Sequence, residues 1–283
     1  MQISKIDLNQ ASFPDSLRDL HNPPKSINVL GELPSKDDKV VAIIGTRKST
    51  NYGRRVAYQL GSELAKAGVV VASGLAVGID GMAHEGAVDA GGRTIAVLAH
   101  GLDRIYPAQH RSLATAILRT RGALVSEYGF KTIPLPFRFV ERNRILAALC
   151  DIIVVVESAA QGGALLTVNE ATNLGRQVMA VPGNITSEVS AGTNNLIRKG
   201  AAAVVSSADI ITALGYIAHE AVPVPARSPD EAKLIQLLGS GASTSQDLIE
   251  RSGLSAAQFA NIISLMEITG KVRNLGAGQW VRR

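Results

Sequence analysis

The residues best suited to chemistry in this chain form a basic turn directly after an apolar run. The run covers residues 40–44, and the turn that follows reads GTRKSTNYG over residues 45–53. A strand, a turn and a helix in this order present unpaired backbone N–H groups and the positive end of a helix dipole to an anion. Residues 39–62 include no Asp or Glu that would neutralise the cations. We therefore predict a phosphate site whose contacts include Gly45, Arg47 and Ser49.

The spacing of this turn matches neither the P-loop nor the dinucleotide-binding fingerprint. The alternative is an ordinary strand-to-helix turn with solvated charges. Two further segments favour the phosphate interpretation. The first, SGLAVGID at residues 73–80, contains Ser73 and Gly74, which would allow a ligand to approach the backbone closely. Asp80 in the same segment is predicted to cap the next helix or to orient Arg47, and capping is favoured.

The second segment, FVERNR at residues 139–144, places two arginines around an asparagine at a predicted helix start. Arginine forks bind phosphate bidentately, and asparagine can contact a base edge. Cations at a helix N-terminus oppose the helix dipole, so a compensating ligand contact is favoured over a solvated helix start. The predicted contacts are Arg142, Asn143 and Arg144, with Arg138 just before them.

Two more polar, glycine-bearing loops follow predicted strands, at residues 157–167 and 182–184, and the similar segment 192–195 opens another helix. In the first of these we expect contacts from Gly162, Gly163 and Thr167. Several such loops at one edge of a sheet favour a phosphate-bearing chain or nucleotide as the ligand. Aromatic residues make up only 4% of the chain, so we expect little base stacking.

Patterns typical of catalysis are missing from the sequence. It has no nucleophile elbow, no histidine pair with metal-ligand spacing and no cluster of carboxylates. Glu157 and Glu170 are the candidate glutamates near the loops, and each is readily structural. We predict no catalytic residue, no metal and no cofactor.

The elements that must position these loops alternate between short apolar runs and helix-length segments. Such alternation predicts an α/β fold with a doubly wound, mostly parallel sheet, whose ligands lie beyond the carboxyl ends of the strands. Strands are predicted at 40–44, 69–72, 94–99, 123–126, 151–157, 177–181 and 202–205. Helices are predicted at 53–67, 81–90, 109–120, 142–149 and 165–174.

Composition shifts divide the chain into four segments. We predict an N-terminal extension over 1–38 at the sheet edge, a Rossmann-like domain over 39–218 and a Pro-rich linker over 219–229. Residues 230–283 read as three helices and a short hairpin, which predicts a small winged-helix domain. Within it, Ser255 is the expected N-cap of the third helix.

The net charge of +5 weakly favours an anionic partner. The single cysteine excludes an internal disulfide and is consistent with a reducing compartment. No signal-peptide pattern and no apolar stretch of membrane-spanning length occur, so we expect a cytoplasmic protein without a membrane partner.

Together these motifs resemble the DNA-processing protein A family (DprA or Smf) over roughly residues 12–283. The resemblance rests on GTRKSTNYG, SGLAVGID, RIYP at 104–107, SEY at 126–128, FVERNRI, VVVES at 154–158, VPG at 181–183 and GTNNLIRKGA at 192–201. It implies an extended Rossmann-like domain that binds single-stranded DNA, forms a homodimer and helps to load the RecA recombinase in natural transformation, without established enzymatic activity. It also implies a DNA pocket lined by Arg47, Ser49, Gly74, Arg142, Asn143 and Arg144.

The sequence departs from the family pattern at several points. The usual N-terminal sterile-alpha-motif-like or helix–hairpin–helix domain is expected to be absent. Gln161-Gly162-Gly163 stands where serine-glycine-serine is common, and Gly129 replaces a proline. A basic residue often found at the position of Leu135 is missing, so Lys131 or Arg138 is expected to substitute for it.

Two alternatives come from other functional classes. A nucleotide-binding enzyme of the lysine-decarboxylase-like phosphoribohydrolase type has a Gly-Gly-x-Gly-Thr-x-x-Glu loop, which residues 162–170 resemble with one extra residue and without the third glycine. A winged-helix transcriptional regulator would need a basic winged helix. Residues 230–283 contain six Lys or Arg against five Asp or Glu, which is too balanced for strong duplex binding.

Overall fold

The computed structural model describes residues 2–216 and 226–282, and the chain divides into two compact units at the boundary between residues 218 and 219. The first unit includes nine strands, β1 to β9, in its described residues. They are Ser4–Asp7, Ser26–Gly31, Val40–Ile44, Val70–Ser73, Thr94–Leu98, Ala123–Ser126, Ile152–Val155, Gln177–Ala180 and Ala202–Ala203. Its helices, α1 to α8, are Asp15–Arg18, Asn51–Lys66, Ile79–Asp89, Arg111–Arg119, Pro136–Ala148, Ala164–Asn173, Ala191–Arg198 and Ser207–Ala213.

The strands form one sheet in the order β1-β2-β6-β5-β4-β3-β7-β8-β9. All pairings from β6 to β9 are parallel, whereas β1 and β2 extend the β6 edge in antiparallel fashion. Strands β3 to β7 are buried along their whole length, as parallel strands covered by helices on both faces must be. The predicted doubly wound α/β fold is confirmed.

Successive strands run outward from β3 through β4 and β5 to β6, and then the chain returns to place β7 on the other side of β3. The order of the strands therefore reverses between β3 and β7. In open parallel sheets this reversal opens a crevice beyond the carboxyl ends of the two strands. The loops that follow β3 and β7 are the basic turn and the 157–163 loop of the sequence analysis.

The N-terminal residues are more regular than the sequence suggested. The prediction that they lie at the sheet edge is confirmed, but they form two strands and a one-turn helix rather than an irregular extension. Phe13 and Leu17 anchor this segment because both side chains are fully buried against the main core.

Two predicted element boundaries are wrong, and the first of them affects the site. Helix α5 begins at Pro136, six residues before the predicted start, because a proline at the first helical position loses no hydrogen bond. Strand β9 covers only Ala202–Ala203 rather than 202–205. The remaining predicted strands and helices occur within a few residues of their expected positions.

The second unit has the elements of a winged helix. Its helices α9, α10 and α11 are Pro229–Gly239, Ser245–Ser252 and Ala256–Ile268, and its strands β10 and β11 are Val272–Gly276 and Gln279–Arg282. Ser255 caps α11 by accepting a hydrogen bond from Gln258 N–H, as predicted. Phe259, Ile263 and Met266 of α11 pack into a core with Trp280 of β11.

The predicted linker over 219–229 lies partly outside the described residues, which resume at Ala226. None of the helices within 2–216 and 226–282 is long and apolar enough to cross a bilayer.

Candidate nucleic-acid interface

The basic turn after β3 is fixed from within by an acidic side chain that follows the neighbouring strand, β7. Thr50 caps α2 by accepting a hydrogen bond from Gly53 N–H. Glu157, which follows β7, accepts hydrogen bonds from the backbone N–H of Thr50 at 2.9 Å and from its hydroxyl. Glu157 is buried, so its carboxylate takes the position at the α2 N-terminus that we predicted for phosphate.

This arrangement corrects the expectation that no acidic group lies near the turn. Glu157 is 107 residues away in sequence and arrives only because β3 and β7 are neighbours. The groups of the turn that can still contact a phosphate are therefore its exposed cations, Arg47 and Lys48, and not the N-terminus of α2. Gly45 and Ser49 lie half-buried on either side of them.

Arg47 is held at the surface by an aromatic ring. Its guanidinium lies over the ring of Phe139 in α5, 4.7 Å from the centroid. The ring of Tyr106 contacts Phe139 in turn, with 5.9 Å between centroids. A cation–π contact leaves the charge and the N–H groups of an arginine available to a ligand, unlike a carboxylate partner.

A second cation lies among aromatic rings at the start of α5. The guanidinium of Arg138 is 5.3 Å from the centroids of both Tyr128 and Phe137. The Tyr128 hydroxyl donates a hydrogen bond to Glu141 at 2.7 Å, and burial together with this carboxylate raises the pKa of Tyr128. Phe130, two residues after Tyr128, has a side chain that is 71% exposed.

We call Arg47, Tyr106, Tyr128, Phe137, Arg138 and Phe139 the cation–aromatic surface. The expectation of little base stacking stays a prediction, although this surface carries more rings than the composition suggested. A low aromatic content says nothing about clustering, and here four rings come from the β5–α4 loop, the β6–α5 loop and the first turn of α5. Sequence reasoning missed them, and the signal that could have revealed three of the four rings is the density of aromatic residues within 128–139.

Arg142, in contrast, is an internal group. It lies in the second turn of α5, is 5% exposed and donates a hydrogen bond to the backbone carbonyl of Val97 at the end of β5. A Cβ at Gly74 would lie 2.1 Å from Arg142 Nη1, so the glycine makes room for this guanidinium rather than for a ligand. Arg142 Nε has no hydrogen-bond partner among the described residues.

Asp80 belongs to the same buried group. It accepts hydrogen bonds from the backbone N–H groups of Gly74 and Ala76, and so it fixes the loop that precedes α3 instead of capping the helix. Burial raises the pKa of Asp80, and the positive charge of Arg142 partly offsets this rise. The predicted orientation of Arg47 by Asp80 is not supported, since Arg142 is the cation that acts on Asp80. The Ser73 hydroxyl is also internal and donates to the Ile43 carbonyl at 2.6 Å.

Arg144 is paired inside the protein as well. Its Nη2 group donates to both carboxylate oxygens of Glu127, at 2.6 and 2.7 Å. Asn143 is nine-tenths buried. The RNR motif therefore joins α5 to the carboxyl ends of β5 and β6, and the prediction that it stands at a helix start is wrong.

The loop after β7 leads directly into α6. Gly163 precedes the helix, which has no side-chain cap and no acidic residue in its first turn. Gly162 is half-buried, Gly163 is exposed and Thr167 is buried one turn into the helix. Of these three, the backbone of Gly162 and Gly163 is the part that remains accessible to a ligand.

The geometry thus sorts the predicted site residues into two groups. Gly45, Arg47, Ser49, Arg138, Gly162 and Gly163 lie at least partly at the surface. Ser73, Gly74, Asp80, Arg142, Asn143 and Thr167 are buried, and Arg144 is paired with Glu127. Within the described residues, no three His, Cys, Asp or Glu side chains gather as metal ligands.

The model of the DNA recombination-mediator protein A family matches residues 5–215, and that of the DprA winged helix domain matches residues 218–278. The chain belongs to the DNA recombination-mediator protein A family. The resemblance inferred from the motifs is confirmed, as is the winged-helix assignment of the second unit.

Curated members of the DprA family are similar over most of the chain. A putative DNA processing protein DprA of Mycobacterium tuberculosis (strain CDC 1551 / Oshkosh) is 39% identical over 267 residues, which cover 87% of this chain and 68% of that protein. The DNA processing protein DprA of Bacillus subtilis is 37% identical over 75% of this chain and 71% of its own length.

Two solved DprA structures share the fold. DNA processing protein A from Streptococcus pneumoniae matches with a TM-score of 0.70 and 33% identity, over 77% of this chain and 76% of that chain. DNA processing protein A from Helicobacter pylori, a structure described for its single-stranded DNA binding mode, matches with a TM-score of 0.67 and 30% identity, over 76% of this chain and 98% of that chain.

Proposed function

We propose that this DprA-family chain binds single-stranded DNA on its cation–aromatic surface and acts in DNA processing. The observation that carries the proposal is the exposed Arg47 guanidinium lying over Phe139 beside the crevice between β3 and β7. Single-stranded nucleic acid is bound by cations that follow the phosphates and by aromatic rings on which bases stack. Both kinds of group occur together here.

Base stacking explains why the strand is expected to be single. Bases of a duplex are stacked on one another and do not offer their faces to Phe137 or Tyr106. An unpaired strand offers a face to each ring, and such stacking tolerates any sequence because every base has one. The ring of Tyr106 is about half-exposed and that of Phe137 slightly more so.

The internal arginines have a supporting role in this proposal. Arg142 links α5 to β5, and Arg144 links it to the loop after β6. These contacts fix the helix that carries Arg138 and Phe139. Their effect on DNA binding is therefore through the position of the surface rather than through phosphate contact.

The wider role rests on family membership. We propose that the chain forms a homodimer, protects incoming DNA during natural transformation and helps to load the RecA recombinase, without an enzymatic step of its own. The similarity to DNA processing proteins of B. subtilis and S. pneumoniae supports this role.

Fluorescence anisotropy with a labelled oligo-dT and a duplex of the same length tests the DNA proposal. We expect the full chain to bind the single strand more tightly. The logarithm of the affinity should fall linearly with the logarithm of the salt concentration, because phosphate contacts release counterions. A stronger preference for the duplex, or an affinity that salt does not change, would contradict the proposal.

A further inference from the structure

The outward face of α11, in the second unit, is apolar and uncharged. The two most exposed large apolar side chains in the described part of this unit, Leu265 and Ile268, both lie on α11 and are 54% and 81% exposed. Ala257, Asn261 and Ser264 are exposed on the same side of the helix, whereas the opposite side packs into the core of the unit. Contiguous exposed apolar surface of this kind marks an interaction site.

The charge of α11 argues against nucleic acid as the ligand of this face. The helix follows α10 across a short turn, as the recognition helix of a helix-turn-helix protein does, and such a helix lies in the major groove beside the phosphates. Residues 256–268 contain no Lys or Arg, although cations supply most of the affinity for DNA. Their one acidic side chain, Glu267, accepts a hydrogen bond from the Asn274 N–H of β10 at 3.2 Å. A protein surface is therefore the better occupant.

The exposed residues of α11 have the spacing of a coiled-coil seam. Four of them are separated by four, three and four residues and so form one stripe along the helix: Ala257, Asn261, Ser264 and Ile268. The stripe begins with a small apolar side chain, continues with two short polar ones and ends with a large apolar one. A matching surface must therefore be bulky at one end, recessed at the other and able to form hydrogen bonds in the middle.

A second copy of the same helix meets these requirements when it lies antiparallel. A two-fold axis between residues 262 and 263 places Ala257 of each copy opposite Ile268 of the other, so that each large side chain covers a small one. The same axis places Asn261 opposite Ser264, and the amide can then bond to the hydroxyl. A parallel pair would instead bring Ile268 against Ile268 and leave a gap between the two alanines. The stripe is thus complementary to itself, as a two-fold interface requires.

We infer that α11 pairs with α11 of a second copy of this chain as an antiparallel two-helix contact. The Asn261–Ser264 pairs fix its register, because a shift of one turn would place these polar groups against apolar ones. The helix is about 20 Å long, and one of its faces buries less than the roughly 800 Å² per partner of a standard stable interface. The contact is therefore weak by itself, and it joins copies that another contact already holds close together.

Disulfide trapping in the full chain tests the contact and its orientation. Cys150, the single cysteine of the chain, is buried and does not compete. Ala257→Cys and Ile268→Cys are made as separate variants. The antiparallel pair brings residue 257 of one copy within disulfide distance of residue 268 of the other, whereas the two copies of residue 257 are about 16 Å apart along the helix axis. We expect an equimolar mixture to form the mixed disulfide, which intact mass spectrometry distinguishes from both symmetric ones.

Matched controls separate pairing from random collision. Glu250 is exposed on α10 and lies outside the stripe, so Glu250→Cys mixed with Ile268→Cys should form a disulfide at least about tenfold more slowly. Ser264→Arg in both members of the 257/268 mixture places like charges in the seam and should slow trapping to this control rate, although an arginine beside a thiol favours the reactive thiolate. Ala256→Arg adds the same charge to the same helix outside the stripe and should leave the rate unchanged. Circular dichroism confirms that each variant is folded.

Two outcomes would overturn the inference. Faster trapping of Ala257→Cys with itself than with Ile268→Cys would mean that the helices lie parallel. Equal rates in all mixtures, including the one with Glu250→Cys, would mean that α11 does not pair with itself and that its apolar stripe serves a different protein. The test contains no DNA and changes no residue of the first unit, so its failure would leave the proposed DNA binding untouched.

Discussion

Arg47 keeps its charge at the surface because its partner is a ring and not an acid. The guanidinium over Phe139 has lost part of its freedom before any ligand arrives, so less conformational entropy is lost on binding. Arg144 shows the opposite case, since the two oxygens of Glu127 engage its Nη2 group. The environment of an arginine, and not its charge, therefore decides whether it can contact phosphate.

We predict that Arg47→Ala weakens single-stranded DNA binding by about 1.5–3 kcal/mol, the value of one charge-assisted contact. The melting temperature should stay near that of the wild type because Arg47 is exposed. Arg47→Lys should be intermediate, since lysine keeps the charge but not the planar stack. Fluorescence anisotropy and thermal unfolding measure the two effects.

The matched control for Arg47 is Arg119→Ala. Arg119 is an exposed arginine in the last turn of α4, directly before β6, and thus lies at the amino ends of the strands, away from the crevice. Arg119→Ala removes the same charge as Arg47→Ala. Because Arg119 is far from the crevice, we expect its substitution to change the affinity for DNA far less. Equal losses in the two variants would mean that only the net charge matters.

His84 is a neutral histidine that is fully buried in α3, the helix that follows the 73–78 loop. The Thr94 hydroxyl donates to the Val71 carbonyl, so His84 Nδ1–H must donate to Thr94 Oγ1, 2.7 Å away. His84 Nε2 then has no partner among the described residues. Burial, together with the charges of His110 and Arg142, lowers the pKa of His84 to about 3.

This pKa predicts an acid-sensitive fold. Between about pH 6.5 and 3 the unfolded chain binds a proton at His84 that the folded chain does not, so stability is lost as the pH falls through this range. The loss is about 1.4 kcal/mol per pH unit, or roughly 2 kcal/mol at pH 5. His84→Gln should reduce the slope. Part of it should remain because burial also lowers the pKa of His100.

Urea unfolding at pH 7 and pH 5 measures the effect of His84. The quantity to compare is the change in the free energy of unfolding between the two pH values, not its absolute value, because His84→Gln also alters packing. An identical change in wild type and variant would show that His84 is not the titrating group.

At the scale of elements, α2 and α3 are brought together by glycine. A Cβ on Gly86 of α3 would lie 2.0 Å from the Tyr58 carbonyl oxygen of α2, and one on Gly61 of α2 would lie 2.3 Å from the Ala83 carbonyl oxygen of α3. Close approach of these helices matters for function because both begin at loops of the crevice, the basic turn and the 73–78 loop.

We predict that Gly86→Ala destabilises the first unit, although alanine favours helix by about 1 kcal/mol. A contact this short with backbone cannot be relieved by a side-chain rotation, so it places the overpacking cost at the upper end of its range, about 3 kcal/mol, and the net loss is about 2 kcal/mol. Gly239→Ala at the exposed end of α9, with its nearest neighbour at 3.4 Å, should instead stabilise its own unit slightly. Chemical unfolding gives both signs.

The parts of the fold that were predictable are those set by local pattern. Strands β3 to β7 are continuous apolar runs, and the burial of parallel strands makes such runs inevitable. Strand β1, with the sequence SKID, is short and largely exposed and therefore left no signal. The start of α5 was missed because Pro136 reads equally well as loop or as first helical residue.

The site was harder to predict than the fold because its contacts come from distant parts of the chain. Glu157 reaches the basic turn, Arg142 reaches Val97 and Arg47 reaches Phe139 across 45 to 107 residues of sequence. Spacing within a motif identifies residue types that can bind phosphate. It does not reveal which of these residues form hydrogen bonds or ion pairs inside the protein and so cannot contact a ligand.

At the scale of the whole molecule, the question is whether the first unit associates with a second copy, and the β9 edge of the sheet is the candidate surface. Strand β9 is the last in the sheet and pairs with β8 alone in the described residues, and Val205 just beyond it is 79% exposed. Such edges commonly pair with another chain. The family resemblance and this edge lead us to predict a homodimer through residues 195–198 of α7 and 202–205.

Light scattering on residues 1–218 tests the dimer, with self-association expected at about tens of micromolar, an affinity of ordinary weak association. Val205→Lys should shift this species toward monomer. Ile185→Lys, which charges an even more exposed apolar residue outside the predicted contact, should not. A monomeric wild type at this concentration, or equal effects of the two lysines, would exclude this interface.

The winged helix should be dispensable for single-stranded DNA binding. Its six basic and five acidic residues nearly cancel, and the outward residues of α11 include Gln258, Asn261 and Ser264, which cannot anchor on phosphate by charge. The cation–aromatic surface lies wholly in the first unit, which forms a compact unit of its own.

Removing residues 222–283 should therefore leave the oligo-dT affinity within about threefold of the full chain, well under the tenfold that 1.4 kcal/mol represents. The same deletion combined with Arg47→Ala should show the full loss expected of Arg47→Ala alone, because the two changes act on separate units. If the deletion alone removes most of the affinity in an anisotropy titration, the primary DNA site is not the surface around Arg47.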